Sequence, residues 1–271
     1  MGRKITMKSK LNISIIIPCS TDTRIGMCIE SIDENVEIVV VLNGSNKQVR
    51  DIVKKYDVKT VFSKKANLAN ALNLGIENSK NKKVIFIDSD CVFKKGAIKK
   101  VYKALDNNIV VKAKVIFDYN NWQSKIVAET RDYVNYNQPK PYNPFLAINK
   151  SIRKYSGGYY FDSNIFWTED ADFYNRYKNS KVSIKYLYSA EAVHPPLSFL
   201  QDLTSAFKYG IGKRIRVERK NSKGLGTHFS NILDIIAKKS ISSGIYYFVW
   251  NISYILGYLY QIMADPYKTK K

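Results

Sequence analysis

A chain of 271 residues with 45% apolar side chains can bury a substantial core, which excludes wholesale disorder and suits one large α/β domain with a C-terminal extension. Its 44 Lys and Arg outnumber 23 Asp and Glu, and the formal charge of +21 predicts attraction to polyanions such as nucleic acid, anionic lipid or phosphorylated substrates. Cys19, Cys28 and Cys91 are few and widely spaced, and His194 and His228 have no clustered partners, which argues against a structural zinc site and fits a reducing, cytoplasmic setting.

The chain opens on Arg3, Lys4, Lys8 and Lys10, but the apolar run that follows is only Ile13 to Ile17 and stops at Pro18, so no secretory signal is expected. Ile13 to Ile17 and Glu37 to Leu42 are β-branched runs ended by turn residues and read as buried strands. Leu68, Leu72, Gly75 and Ile76 recur at helical spacing behind a capping Asn67. Val84 to Ile87 is the next strand, and after Asp88-Ser89-Asp90 a helix presents Ile98, Val101, Tyr102 and Leu105 on one face. Ile109 to Phe117 reads as a strand, whereas 120–144 accumulates Tyr, Asn and Pro and reads as an irregular, substrate-facing excursion. Phe145 to Ile148 returns the chain to the sheet, Gly157-Gly158 marks a turn, Asp170 to Lys178 a helix and Val182 to Tyr188 a strand. Strands alternating with helices in this way predict a mostly parallel sheet flanked by helices.

Beyond Pro195-Pro196 the pattern changes to long helices. The first is basic, carrying Lys208, Lys213, Arg214, Arg216, Arg219, Lys220 and Lys223; it is either a solvated face or the seat of an anionic neighbour. The last, Ile241 to Met263, is just long enough to span a bilayer, but Asn251, Ser253 and Gln261 interrupt it and its aromatic content is that of an interface-seeking helix. A helix lying in a membrane surface is the first expectation, and a helix packed on the body or on a second copy is the alternative.

Two groups of residues carry chemistry. Asp88 and Asp90 close a strand and, two apart, face the same way beyond the sheet's carboxyl edge, where they suit a hard divalent cation that grips a diphosphate. Thr168-Glu169-Asp170 opens a helix after Trp167, where carboxylates either cap the first turn or serve a site.

The strand ending in Pro18, then VVVLNGSN, NLANALNLGIENSK, VIFIDSDC and WTEDADFYNRY, occur in the order of family 2 glycosyltransferases of the GT-A fold, and the resemblance covers roughly residues 11–215. It implies an α/β, Rossmann-like catalytic domain over 1–197, with a donor-binding half at 11–117 and an acceptor-binding half at 118–197, followed by membrane-associating helices over 198–271. By the same resemblance Pro18, Cys19, Ser20, Asn43 and Gly44 hold the donor nucleoside, and Asn67, Asn70 and Asn73 line its pocket. Asp88 and Ser89 lie nearest the nucleotide; Asp88 and Asp90, with His194 completing the shell, hold Mn²⁺ or Mg²⁺; and Asp170, with Glu169 beside it, is the general base. His194 also has a plainer reading, as a turn histidine before two prolines. Trp167, Lys213 and Arg214 are placed toward the acceptor, the latter two within a Tyr-Gly-x-Gly stretch resembling relatives that act on lipid-linked acceptors.

The chain departs from the family where an acidic pair is replaced by Leu42-Asn43 and an Ala-Arg-Asn by Ala71-Leu72-Asn73, which leaves the diphosphate to Lys64, Lys65 or the metal. It lacks the Gln-x-x-Arg-Trp motif of processive synthases. The resemblance therefore implies inverting, single-sugar transfer from a nucleotide-diphosphate sugar, a UDP-sugar foremost, to a glycan or lipid-linked acceptor at the cytoplasmic face of a membrane, with no nucleic-acid partner and a homodimer through the C-terminal helices as one option. Two rivals stand beside it: a sugar-phosphate nucleotidyltransferase, though its glycine-rich phosphate loop is missing, and a basic nucleic-acid-binding protein.

Overall fold

The structure is a computed structural model and describes residues 9–63, 66–137, 139–225 and 229–264. Arg3, Lys4, Lys8, Lys64, Lys65 and His228 lie outside the described residues. Eight strands form one sheet: β1 (Ile13–Cys19), β2 (Glu37–Asn43), β3 (Lys59–Ser63), β4 (Lys83–Phe86), β5 (Val92–Phe93), β6 (Val110–Phe117), β7 (Leu146–Asn149) and β8 (Ile184–His194). Their order is β3-β2-β1-β4-β7-β6-β8-β5. β1 to β4 are parallel, β7 is antiparallel to both β4 and β6, and β8 runs parallel to β6, so β1, β2, β3, β4, β6 and β8 all end on one edge.

Nine α-helices and one 3-10 helix (Lys150–Lys154) complete the described chain: α1 (Ile25–Glu30), α2 (Lys47–Val53), α3 (Leu68–Asn78), α4 (Ala97–Ala104), α5 (Trp122–Asn137), α6 (Glu169–Tyr177), α7 (Phe199–Glu218), α8 (Asn231–Lys238) and α9 (Ile241–Ala264). Every residue of β1 is buried, as a strand covered on both faces requires. Ile13, Ile15 and Ile17 join the core beneath α1, α2 and α4, while Ile16 joins the core beneath α3 and α6. The polar exception, Ser14, gives its hydroxyl to the Glu37 carboxylate at 2.6 Å. Asn67 caps α3 by accepting from the Asn70 amide, and Gly75 lets that helix lie on β1, since a Cβ there would collide with Ile16.

The excursion expected at 120–144 is a correction, because α5 occupies most of it. Its buried residues mix Ser124 and Thr130 with Val127, Ala128 and Tyr133, and it packs against α9 as well as against β6, where Tyr136 donates to the Val115 carbonyl. Thr130 donates to the Ser243 carbonyl and Glu129 accepts from the Ser243 hydroxyl, so polar pairs do what an apolar stripe does elsewhere and mute the period. The strand expected at 182–188 begins at Ile184 and continues to His194, past an irregularity opposite Ala113 and Lys114.

Helices α7 and α9 lie against one another at bare backbone. A Cβ on Gly210 would strike the Tyr254 carbonyl and one on Gly257 the Phe207 carbonyl, so both positions demand glycine. The opposite face of α9 is exposed and apolar, with Ile241, Ile245, Leu256 and Met263 each more than half accessible. No described helix is long and apolar enough to cross a membrane.

Candidate active site

The turn after β4 sets the first half of the site. Ile87 donates its amide to Ile16, holding the end of the strand beside β1, and the Cys91 amide returns to the Asp88 carbonyl at 3.0 Å, closing the turn. Asp88 and Asp90 are both half-buried, with Ser89 buried between them. Burial, the neighbouring Asp90 charge and the charge of Asp170 push the Asp88 carboxyl up to about 7. Excess negative charge at the mouth of a parallel sheet invites a cation.

His194 ends β8 opposite the Asp88–Asp90 turn. Its Nδ1 lies 2.8 Å from the Pro195 carbonyl, which can only accept, so the proton sits on Nδ1 and Nε2 presents a lone pair 3.7 Å from Asp90 Oδ2. Burial holds the imidazole below its ordinary range, in the neutral form a metal ligand needs. Asp90, Cys91 and His194 offer ligand atoms within 4.8 Å of one another. The Cys91 thiol gives its weak hydrogen bond to Asp90 Oδ1 at 3.6 Å and is pushed well above the ordinary thiol range by burial, so the fit to a hard cation rests on the Asp90 carboxylate and the imidazole, and Asp88, also expected as a ligand, lies outside this group. Arg24 reaches Asp90 at 3.3 Å and is the cation present there in the protein itself.

The second half comes from the first turn of α6. Trp167, at φ 67°, takes the left-handed conformation that turns the chain into the helix, and its exposed ring carries the Lys208 ammonium 4.4 Å from its centre. Asp170 accepts from the Asn143 amide at 3.0 Å and from the Ala171 amide at 2.6 Å, so it caps its own turn and also faces the loop before β7. Burial raises its carboxyl, while those two amides and the charges of Arg216 and Lys112 oppose the shift. Glu169 is 4% exposed, its Oε2 has no partner among the described residues, and burial pushes it up to about 8. Burial therefore favours the neutral form of Glu169, whereas two amides and the charges of Arg216 and Lys112 favour the charged form of Asp170. The loop before β7 joins the two segments: the Phe145 amide donates to the Phe86 carbonyl at the end of β4 at 3.0 Å, and the Asn143 amide to Asp170 at 3.0 Å.

The family model for "Glycosyl transferase family 2" matches residues 14–174, more than half of the chain. The protein belongs to glycosyltransferase family 2. An uncharacterized glycosyltransferase of Rickettsia bellii is 31% identical to it over 134 residues, 45% of this chain and 18% of that relative. Another from Rickettsia felis is 30% identical over 134 residues, 45% and 21%. The chain thus spans about a fifth of the length of the curated relatives it matches. Among solved structures it is similar to the mannosyltransferase PcManGT of Pyrobaculum calidifontis in complex with GDP-Man and Mn²⁺, at TM-score 0.61 and 13% identity over 97% of this chain and 78% of that one. It is also similar to S. aureus TarS 1-349 in complex with UDP-GlcNAc, at TM-score 0.55 and 17% identity over 91% and 81%. These likenesses show the fold, which is the GT-A arrangement expected from the motifs.

Within this glycosyltransferase the residues expected to hold the donor lie along the same sheet edge, but several are bound to the protein itself. Asn43 accepts from the Asn67 amide at 2.9 Å, and Gly44 follows at φ 66°. Pro18 and Cys19 are buried beside them, with Ser20 partly exposed. Asn67 donates to the Ser163 carbonyl and Asn70 to the Ser63 hydroxyl. Asn73 uses both ends of its amide on the Phe161 backbone, at 2.7 and 3.1 Å, and is a strut between α3 and the loop before α6.

Two cations that motif reading passed over reach the site. Gly212 and Arg216, one helical turn apart on α7, both face the turn into α6: a Cβ on Gly212 would strike the Phe166 carbonyl, and Arg216 Nε donates to Thr168 Oγ1 at 3.1 Å. Lys213 and Arg214 instead bond Ser222 and pair with Glu218, on other faces of the helix. The i, i+4 spacing of Gly212 and Arg216 was the available signal. The other cation, Lys112, lies in β6 with no motif around it.

Proposed function

We propose that this glycosyltransferase transfers one sugar at a time, with inversion, from a nucleoside-diphosphate sugar to a hydroxyl of a glycan or lipid-linked acceptor. The observation that carries the reading is the approach of His194 to Asp90 at 3.7 Å beyond the end of β4, together with the loop before β7, which bonds the last residue of β4 through the Phe145 amide and Asp170 through the Asn143 amide, each at 3.0 Å. Asp88, Asp90 and the Nε2 of His194 would hold a divalent ion, Mn²⁺ or Mg²⁺, which when bound would neutralise charge on the departing diphosphate. The GDP-Man and Mn²⁺ bound to PcManGT, and the UDP-GlcNAc bound to TarS, support the donor class and the cation without choosing the base; we favour uridine.

Asp170 is the proton acceptor. An acceptor hydroxyl is a weak nucleophile, and a carboxylate in hydrogen-bond reach takes its proton as the new bond forms. Beside it the side-chain amide of Asn143 is buried, with neither its Oδ1 nor its Nδ2 partnered among the described residues, and these atoms suit a hydroxyl-rich ligand. Membership of the sugar-transferring family disfavours the nucleotidyltransferase alternative.

Asp90→Ala tests the donor site. Calorimetric titration with UDP and with GDP, each with and without Mn²⁺, is expected to show metal-dependent binding in the native protein and its loss in the variant, a change of 10-fold or more on the order of one charged hydrogen bond. Equal affinity in all four conditions would refute the metal assignment.

We also propose that the exposed face of α9 seats the enzyme on the cytoplasmic leaflet. Helix α9 carries no charged residue, Lys238 and Lys239 precede it, and the net charge favours an anionic surface over a second copy of this chain. Co-sedimentation is expected with vesicles containing anionic lipid and not with neutral ones, weakening as salt rises. A concentration-dependent dimer with no vesicle binding would assign the face to self-association.

A further inference from the structure

Successive residues of β6 face opposite sides of the sheet. Val111, Ala113 and Val115 enter one core, and Val110 enters the other beside Phe173 and Tyr177 of α6. Lys112 continues the second face one step nearer the carboxyl edge, where that core gives way to the first turn of α6. Its ammonium donates to the Pro144 carbonyl at 2.5 Å. The preceding residue, Asn143, donates its amide to Asp170 Oδ2 at 3.0 Å. A short relay of two hydrogen bonds and one peptide unit therefore links the lysine to the carboxylate.

Charge runs the same way. Burial lowers the Lys112 ammonium to about 8, and the negative charges of Asp170 and then Asp88 oppose that shift. Half-burying a cation is costly unless something nearby needs it, and the loop that Lys112 bonds is the one whose Asn143 amide holds Asp170.

We propose that Lys112 is a positioning residue for sugar transfer, fixing the Asn143–Pro144 segment that holds Asp170 and setting a positive charge beside that carboxylate. The inference rests on Asp170 being the proton acceptor. Lys112 acts through Asp170 and its loop; it contributes no contact of its own to the donor. With two of its three protons free of Pro144, a diphosphate ligand is the role it would otherwise play, and the two roles separate experimentally.

Lys112→Met, Lys112→Gln and Asp170→Asn would be compared in the full chain for melting temperature, affinity for UDP with Mn²⁺, and nucleoside diphosphate released from UDP-GlcNAc or GDP-Man with water as acceptor. Lys112→Met should bind nucleotide within about 3-fold of the native protein while its kcat falls about 10²-fold, the cost of a misplaced catalytic group. Lys112→Gln, which keeps a donor for Pro144 without the charge, should fall between the two and serves alone if the methionine variant does not fold. Unchanged kcat in a folded variant would overturn the inference, and so would a loss of nucleotide affinity with kcat retained. Failure of the underlying reading is seen separately: if Asp170→Asn releases nucleotide at the native rate, Asp170 is not the proton acceptor, whatever the lysine variants do.

Discussion

Asp170→Asn should lower turnover by about 10²–10⁴-fold, the range that a positioned general base contributes, while nucleotide affinity stays within a few-fold of native. The substitution keeps the side chain's shape and one acceptor oxygen, which can hold the Asn143 amide of the loop before β7 at the expense of the bond from the Ala171 amide. What it removes is the proton-accepting charge. Release of nucleoside diphosphate from a sugar donor measures this directly, and native turnover would remove the assignment. The same assay has a pH signature. Burial raises the Asp170 carboxyl, so the base takes up a proton at a higher pH than an exposed aspartate would. Below that pH the carboxylate is lost, and the acid limb of the rate profile should lie above the ordinary aspartate range, with activity rising as pH increases through it.

The largest effect on stability is expected at Asp202, far from the motifs. Its carboxylate is fully buried and accepts from the Arg131 guanidinium, at 2.7 Å from Nε, and from the Tyr246 hydroxyl at 2.7 Å. The guanidinium lies near the rings of Phe117, Tyr209 and Trp250. One charge pair thus clamps α5, α7 and α9 together. Asp202→Ala would strand the guanidinium without its counter-charge and should cost about 3–5 kcal/mol in urea unfolding. The double variant Arg131→Met with Asp202→Leu should recover most of that loss, because it removes the buried charge altogether. A single-variant cost below about 1 kcal/mol would mean that the three helices hold together without the pair.

These two aspartates differ in how visible they are from the sequence. Asp170 stands in a carboxylate cluster after an aromatic run, within an ordered series of motifs, and can be singled out by pattern alone. Asp202 has no pattern around it: its partner Arg131 lies on α5, whose periodicity is hidden by a buried Ser124 bonded to the turn at Asn120 and Asn121 and by Thr130 facing α9. Glu169 shows the reverse. Beside Asp170 in sequence it reads as an equal, yet a one-residue step around a helix turns it into the core, where burial favours its neutral form. In the same way Lys213 and Arg214 are prominent in a basic run, but the helical rotation sends Arg216 to Thr168 and the other two to Ser222 and Glu218.

The sequence by itself determined the alternation of strands and helices, the strand just before Asp88, the helix that begins around Asp170 and the family, because each depends on local periodicity or on residues adjacent in the chain. Only the tertiary structure decided which side chains share the site. Lys112, Asn143, Asp170 and Arg216 come from a strand, a loop and two helices, and no local pattern records which faces meet across the sheet's edge. Burial decided the rest, since the protonation of Asp88, Glu169 and His194 follows from desolvation and neighbouring charge that exist only once the chain has folded.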